Sequence, residues 1–116
     1  MSETPISSDL IRGHIDTIVL GLLSTQDRYG YDICKQVSLL SDGEYELKEP
    51  TLYSAARRLE SQGSIRSYWG EESQGGRRKY YAVTPDGRQA YRQNLADWKR
   101  ARTLIDRLVS GEAEKE

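Results

Sequence analysis

Glu49-Pro50-Thr51-Leu52-Tyr53-Ser54-Ala55-Ala56-Arg57-Arg58-Leu59-Glu60-Ser61-Gln62-Gly63 is the stretch on which the fold turns. Pro50 suits the first position of a helix, where its missing N–H costs nothing, and Gly63 suits the position just past the end. Leu52, Ala56 and Leu59 then share a buried stripe, which leaves Thr51, Tyr53, Ser54, Arg57 and Arg58 on or beside the outer surface. Short polar side chains let a helix backbone approach a duplex closely, and an arginine among them reaches a guanine edge or a phosphate.

Downstream, Ile65 to Trp69 and Lys79 to Val83 are rich in β-branched and aromatic residues, and the polar stretch between them holds a Gly75-Gly76 pair. That pattern predicts a β-hairpin with a long tip. The tip returns through Arg77-Arg78-Lys79, three successive cations suited to neutralising phosphates, on a backbone whose glycines permit close approach. Either piece alone is bland: a basic run in a hairpin is usually a solvated face, and Arg58 beside Glu60 is equally served by an ion pair within its own domain. In this order they specify a recognition helix followed by a wing.

Upstream, Ile11, Ile15, Ile18 and Leu22 recur at helical spacing from Ser8 to about Ser24, with Leu20 and Leu23 adding a second face. Gly30 opens a shorter pattern, Ile33, Val37 and Leu40, that stops at Ser41-Asp42-Gly43 and carries two further candidate DNA contacts, Tyr31 and Lys35. Tyr45 and Leu47 alternate against charge and predict a short strand over Glu44 to Lys48.

Beyond the hairpin, Thr84-Pro85-Asp86 supplies an N-cap, a proline at the first helical position and an acid in the first turn. The helix predicted from there to roughly Val109 would be about 40 Å long, more than so small a domain covers. Tyr91, Leu95, Trp98, Arg102, Ile105 and Val109 form one seam of it, and Ala101, Leu104 and Leu108 a second stripe. Two apolar stripes need two neighbours: the first helix, of its own or the partner subunit, and a dimer mate. Ile11, Ile15, Leu95, Trp98, Ile105 and Val109 are the candidate homodimer interface. The expected fold is mainly α (α+β), a winged helix-turn-helix over residues 1–84 with a long C-terminal dimerisation helix and tail over 85–116, joined in one compact unit.

Bulk properties agree with this reading more than they argue for it. A net charge of −1 over 116 residues does not announce a nucleic-acid binder. Its distribution says more, because Arg57, Arg58, Arg66, Arg77, Arg78 and Lys79 crowd the middle of the chain. Cys34 and His14 are the only residues of their kinds, which excludes an internal disulfide and a clustered Cys/His metal site, and no cofactor is expected. With no triad, paired acids or phosphate loop, an enzyme is not expected either. Ile15 to Leu23 falls short of a membrane span and the N-terminus lacks a basic signal-peptide start, so a cytoplasmic location is expected.

Glu49-Pro50-Thr51-Leu52-Tyr53, Arg58-Leu59-Glu60, Gly63, Ser67-Tyr68-Trp69-Gly70, Gly75-Gly76-Arg77-Arg78-Lys79-Tyr80-Tyr81 and Thr84 together carry a resemblance. From about Leu10 to Leu108 the chain resembles the PadR family of transcriptional repressors, and within it the compact LmrR-like subgroup. The resemblance implies a homodimer on double-stranded DNA, control of its own or an adjacent gene, and release on binding a small molecule. It also places Trp98 where an indole faces its symmetry mate and stacks on flat aromatic ligands. Arg102 departs from that pattern, standing where an acid would suit cationic ligands. Arg102 is expected either to pair with Asp16 of the first helix across the cavity or to offer a site for an anionic or phenolic effector, so Asp16, Trp98 and Arg102 are the candidate effector site, with His14 nearby. The competing reading is a winged-helix module for protein or RNA.

Overall fold

The computed structural model describes residues 6–71 and 76–111, so the wing-tip residues Glu72 to Gly75 lie outside it with both ends of the chain. The chain begins with α1 (Ser8–Ile11), capped by the Ser7 hydroxyl, which accepts from the Asp9 N–H at 3.2 Å. A 3-10 turn (Arg12–His14) separates it from α2 (Ile15–Thr25). The single helix expected from Ser8 to about Ser24 is therefore broken. Gly13 is a poor helix former and Arg12 and Gly13 are both exposed, so no burial offsets the cost of continuing the helix through them.

Two residues, β1 (Arg28–Tyr29), precede α3 (Gly30–Leu40), and α4 (Glu49–Ser61) follows. The strand expected over Glu44 to Lys48 does not form. The Ser41 hydroxyl occupies both backbone groups of Tyr45, accepting from its N–H at 3.1 Å and donating to its carbonyl at 3.2 Å. Leu47 is nonetheless buried and Tyr45 half-buried, so the alternation reported burial without strand pairing.

Gly63, at φ 77°, turns the chain out of α4 into β2 (Ile65–Gly70), which pairs antiparallel with β3 (Arg78–Val83). The sheet order is β1-β3-β2, with Tyr29 opposite Tyr80 and Tyr80 opposite Tyr68. Val19, Leu20, Leu23, Ile33, Leu52 and Leu59 form the dry centre between these layers. Ile15, expected at the dimer interface, turns into this core and is buried. Its place in the first turn of α2, after the break at Gly13, aims it inward.

The last helix, α5 (Pro85–Ser110), is firmly seated at its start. Thr84 caps it, its hydroxyl accepting from the Gly87 N–H at 3.0 Å and donating to the Gly63 carbonyl at 2.7 Å. Arg88 donates to the Ser24 carbonyl at 3.1 Å, and Tyr91 packs so close to Gly21 that a Cβ there would lie 2.9 Å from its ring. Among its 26 residues only Gly87 is buried. No helix among the described residues is long and apolar enough to cross a membrane.

Candidate nucleic-acid interface

Leu52, Ala55, Ala56 and Leu59 pin α4 to the core, so Thr51, Tyr53, Ser54, Arg57 and Arg58 stand on its exposed side as the spacing predicted. The helix forms one wall of a concavity of about 530 Å³. Tyr53, Ala56, Arg57 and Glu60 come from α4, Gly30 and Tyr31 from α3, Tyr29 from β1, and Arg78, Lys79 and Tyr81 from β3. Five candidate contacts, Tyr31, Tyr53, Arg57, Arg78 and Lys79, thus meet around one surface. Lys35, Thr51, Ser54, Gly76 and Arg77 are exposed but do not line it. Gly75 lies outside the described residues.

How the wing cations are aimed follows from the strand register. Arg78 and Tyr80 share one face of β3, and the Arg78 guanidinium lies 4.5 Å from the centre of the Tyr29 ring. Tyr80 in turn sits 5.5 Å from Tyr29 and stacks on Tyr68 at 5.7 Å. Lys79 points to the opposite face, its ammonium 5.9 Å from the Tyr81 ring. The Tyr68 hydroxyl donates to Asp27 at 2.5 Å, and the Ser67 hydroxyl to Glu60 at 2.7 Å, which ties β2 to the end of α2 and to α4. Tyr29, Tyr68 and Tyr80 were not among the candidates. Eight tyrosines and no phenylalanine were the available signal, since polar-tipped rings suit a surface that is packed and wet at once.

Close packing also positions Tyr53. A Cβ on Gly30 would lie 2.8 Å from the Tyr53 hydroxyl oxygen, so α4 seats its tyrosine on the bare backbone at the start of α3. Burial raises the Tyr53 phenol above its ordinary range, with Glu49 and then Cys34 adding to the shift. Burial likewise raises Tyr81, so both rings carry neutral hydroxyls at neutral pH.

Arg58 behaves differently from Arg57. Its guanidinium forks onto Asp16 of α2, Nε to Oδ2 at 3.1 Å and Nη2 to Oδ1 at 2.5 Å. The hydrogen bond to Asp16, and then the carboxylate's charge, raise the guanidinium above its already high range. Within the chain, Asp16 therefore pairs with Arg58 and not with Arg102. Arg102 instead lies over the Trp98 ring at 5.9 Å, one helical turn along its own helix. Trp98 is thus the residue common to both sides of the candidate effector site: Arg102 lies against its ring on α5, and Asp16, engaged by Arg58, lines the same cleft as Trp98.

Trp98 stands between two hollows. One is an open groove of about 850 Å³ between the first two helices and α5, lined among others by Leu10, Ile11, Ile18, Leu40, Leu95 and Ile105. The other is a polar cleft of about 520 Å³ that also holds His14, Asp16, Arg58, Asn94 and Asp97. The His14 ring meets the indole edge-on at 4.7 Å. Of the predicted interface residues, Ile11, Leu95, Trp98 and Ile105 border the groove, while Val109 lies beyond it in solvent. Among the described residues no His, Cys, Asp and Glu cluster is suited to a metal ion.

Comparison with known proteins agrees with this geometry. The model of the transcriptional regulator PadR-like family matches residues 19–93. An uncharacterised protein from Lysinibacillus sphaericus is 39% identical over 106 residues, 91% of this chain and 97% of that one. A transcriptional regulator from Clostridium thermocellum is 48% identical, with a TM-score of 0.82 over 90% of this chain and 98% of that one. A PadR family transcription regulator from Clostridium difficile is 34% identical, with a TM-score of 0.71 over 83% and 98%. With a winged-helix body, an exposed polar and basic fourth helix, and this match, the chain belongs to the PadR-like family of DNA-binding transcriptional regulators, which are not enzymes.

Proposed function

We propose that the protein is a cytoplasmic repressor that binds a two-fold operator as a homodimer and leaves it when a small aromatic effector binds at the dimer interface. In this reading α4 enters the major groove, Thr51 and Ser54 allow the approach, and Arg57 contacts a base edge or phosphate. Arg77, Arg78 and Lys79 carry phosphates on the wing, with Tyr31 and Lys35 at the flank. The observation that carries the reading is the shared concavity: Arg57 on the exposed face of α4 and Arg78 and Lys79 on β3 stand around the same hollow. A solvated basic run unrelated to function has no reason to converge with a recognition helix.

The dimer is supported by the groove beside Leu95, Trp98 and Ile105 and by the bare apolar stripe that continues it along α5. A two-fold axis there brings two Trp98 rings near each other, and a flat ligand between them changes the spacing of the two heads. A gel shift against the DNA upstream of the protein's own gene tests the operator reading. Retarded complexes should weaken steeply with salt, and absence of any retardation at low salt would sink it. Titrating Trp98 fluorescence with cationic dyes and with aromatic acids tests the effector. Arg102 predicts the acids, and binding of the cations alone excludes that preference.

A further inference from the structure

We propose that the Asp16–Arg58 pair is the linkage that sets the orientation of α4 against α2, which makes Arg58 a positioning residue of the recognition helix and not a DNA contact. The inference rests on the reading of α4 as that helix. It deepens the reading by dividing the two adjacent arginines, Arg57 and Arg58, between different tasks.

Neighbouring positions on a helix point about 100° apart, and here the difference separates two hollows. Arg57 lines the concavity shared with the wing, whereas Arg58 lines the cleft shared with Trp98 and His14. From that side Arg58 spans 42 residues of sequence to meet Asp16 in the first turn of α2. The contact is a fork on a carboxylate, two nearly parallel hydrogen bonds that fix direction as well as distance. A single point contact between long side chains would fix distance alone.

The other anchors of α4 act on other sides. Leu52, Ala55, Ala56 and Leu59 fix how near the helix lies to the core, the Ser67–Glu60 hydrogen bond ties it to β2, and Tyr53 seats on Gly30 of α3. Arg58, one turn before the end of α4, adds a directed link to α2. The side chains are 51% and 29% exposed, so the pair adds little to global stability and its loss leaves the fold standing. Base-edge contacts, in contrast, need their side chains within about 0.5 Å and 10–20° of the productive geometry. A weak contact for stability is thus a strong one for recognition.

Asp16→Asn, Arg58→Gln, the double variant, and the exchange Asp16→Arg/Arg58→Asp test this in the full chain, with operator affinity measured across a salt series and helicity checked by circular dichroism. Each single variant should lose about tenfold in affinity at unchanged salt slope, and the double variant should lose no more than either. The exchange should recover most of the loss, and Arg58→Lys, which keeps the charge without the fork, should recover part. If Arg58→Gln lowers the salt slope by about 0.9 while Asp16→Asn does not weaken binding, Arg58 touches a phosphate and the proposal is overturned. Additive losses, or no loss in either single variant, overturn it as well. A wild-type chain that binds no DNA overturns the operator reading itself, a result distinct from all of these.

Discussion

The reading head and the far half of α5 use the same helical spacing of apolar residues to opposite effect. In the head, Leu20, Leu23, Ile33, Leu52 and Leu59 vanish into a core closed by helices on one side and the sheet on the other. Along α5, Leu104, Ile105, Leu108 and Val109 remain 47%, 52%, 72% and 82% exposed. Periodicity marks a face that some surface must cover, and it is silent on whether that surface belongs to the same chain. The start of α5 is fastened by Thr84, Arg88 and Tyr91, so the helix projects its uncovered stripe from a rigid base.

The largest effects should separate the two regions directly. Leu52→Ala, at a fully buried position, should cost about 2–5 kcal/mol in urea unfolding. Leu108→Glu should instead convert a dimer to a monomer in sedimentation and remove the dependence of the unfolding midpoint on protein concentration. A Leu108→Glu chain that sediments like wild type would erase the distinction, because the stripe would then have no partner to lose.

At the junction between the regions, Gly87→Ala should cost about 1–3 kcal/mol or more. An ideal Cβ there would clash with the Ser64 carbonyl oxygen, which is backbone and cannot swing aside. Removing the cap with Thr84→Ala should cost about 1 kcal/mol. If both substitutions leave thermal unfolding unchanged, α5 is not seated on the head as the structure has it. On the DNA side, Arg77→Ala/Arg78→Ala should lower the salt slope of binding by about 1.8 and weaken binding across all sequences alike. A loss confined to particular operator bases would assign the wing to base reading.

How much of this was legible in the sequence differs by the range of the forces involved. α4 was bounded by Pro50 and Gly63 and α5 by Thr84-Pro85, since caps are decided by two or three adjacent residues. β1 was not legible, because Arg28 and Tyr29 become a strand only through pairing with Tyr81 and Tyr80. The false strand at Glu44 to Lys48 arose because Tyr45 and Leu47 do face inward while Ser41 takes the backbone bonds a neighbouring strand would need. Among the site residues, the convergence of Arg57 with Arg78 and Lys79 followed from the order of helix and wing. The Asp16–Arg58 fork did not, because a bond between residues 42 apart leaves no local trace. Asp16 does line the cleft beside Trp98, but the sequence carries no sign that Arg58 reaches it there.

The smallest effect is also the most local probe of the contrast. Cys34 of α3 is half-buried against the core, and burial, followed by the charges of Glu49 and Glu46, raises its thiol above the ordinary range. A raised value means less thiolate at any pH below it, so alkylation by iodoacetamide at pH 8.5 should be several-fold slower than for a cysteine in an unfolded peptide. Glu49→Gln should accelerate it slightly by removing one of the two charges. Because the reaction samples local opening of the head, Leu52→Ala should speed it further. Leu108→Glu, acting on the exposed stripe of α5, should leave the rate at its wild-type value. Equal acceleration by both would mean that the far half of α5 supports the core it does not touch, and the two regions would have to be treated as one cooperative unit.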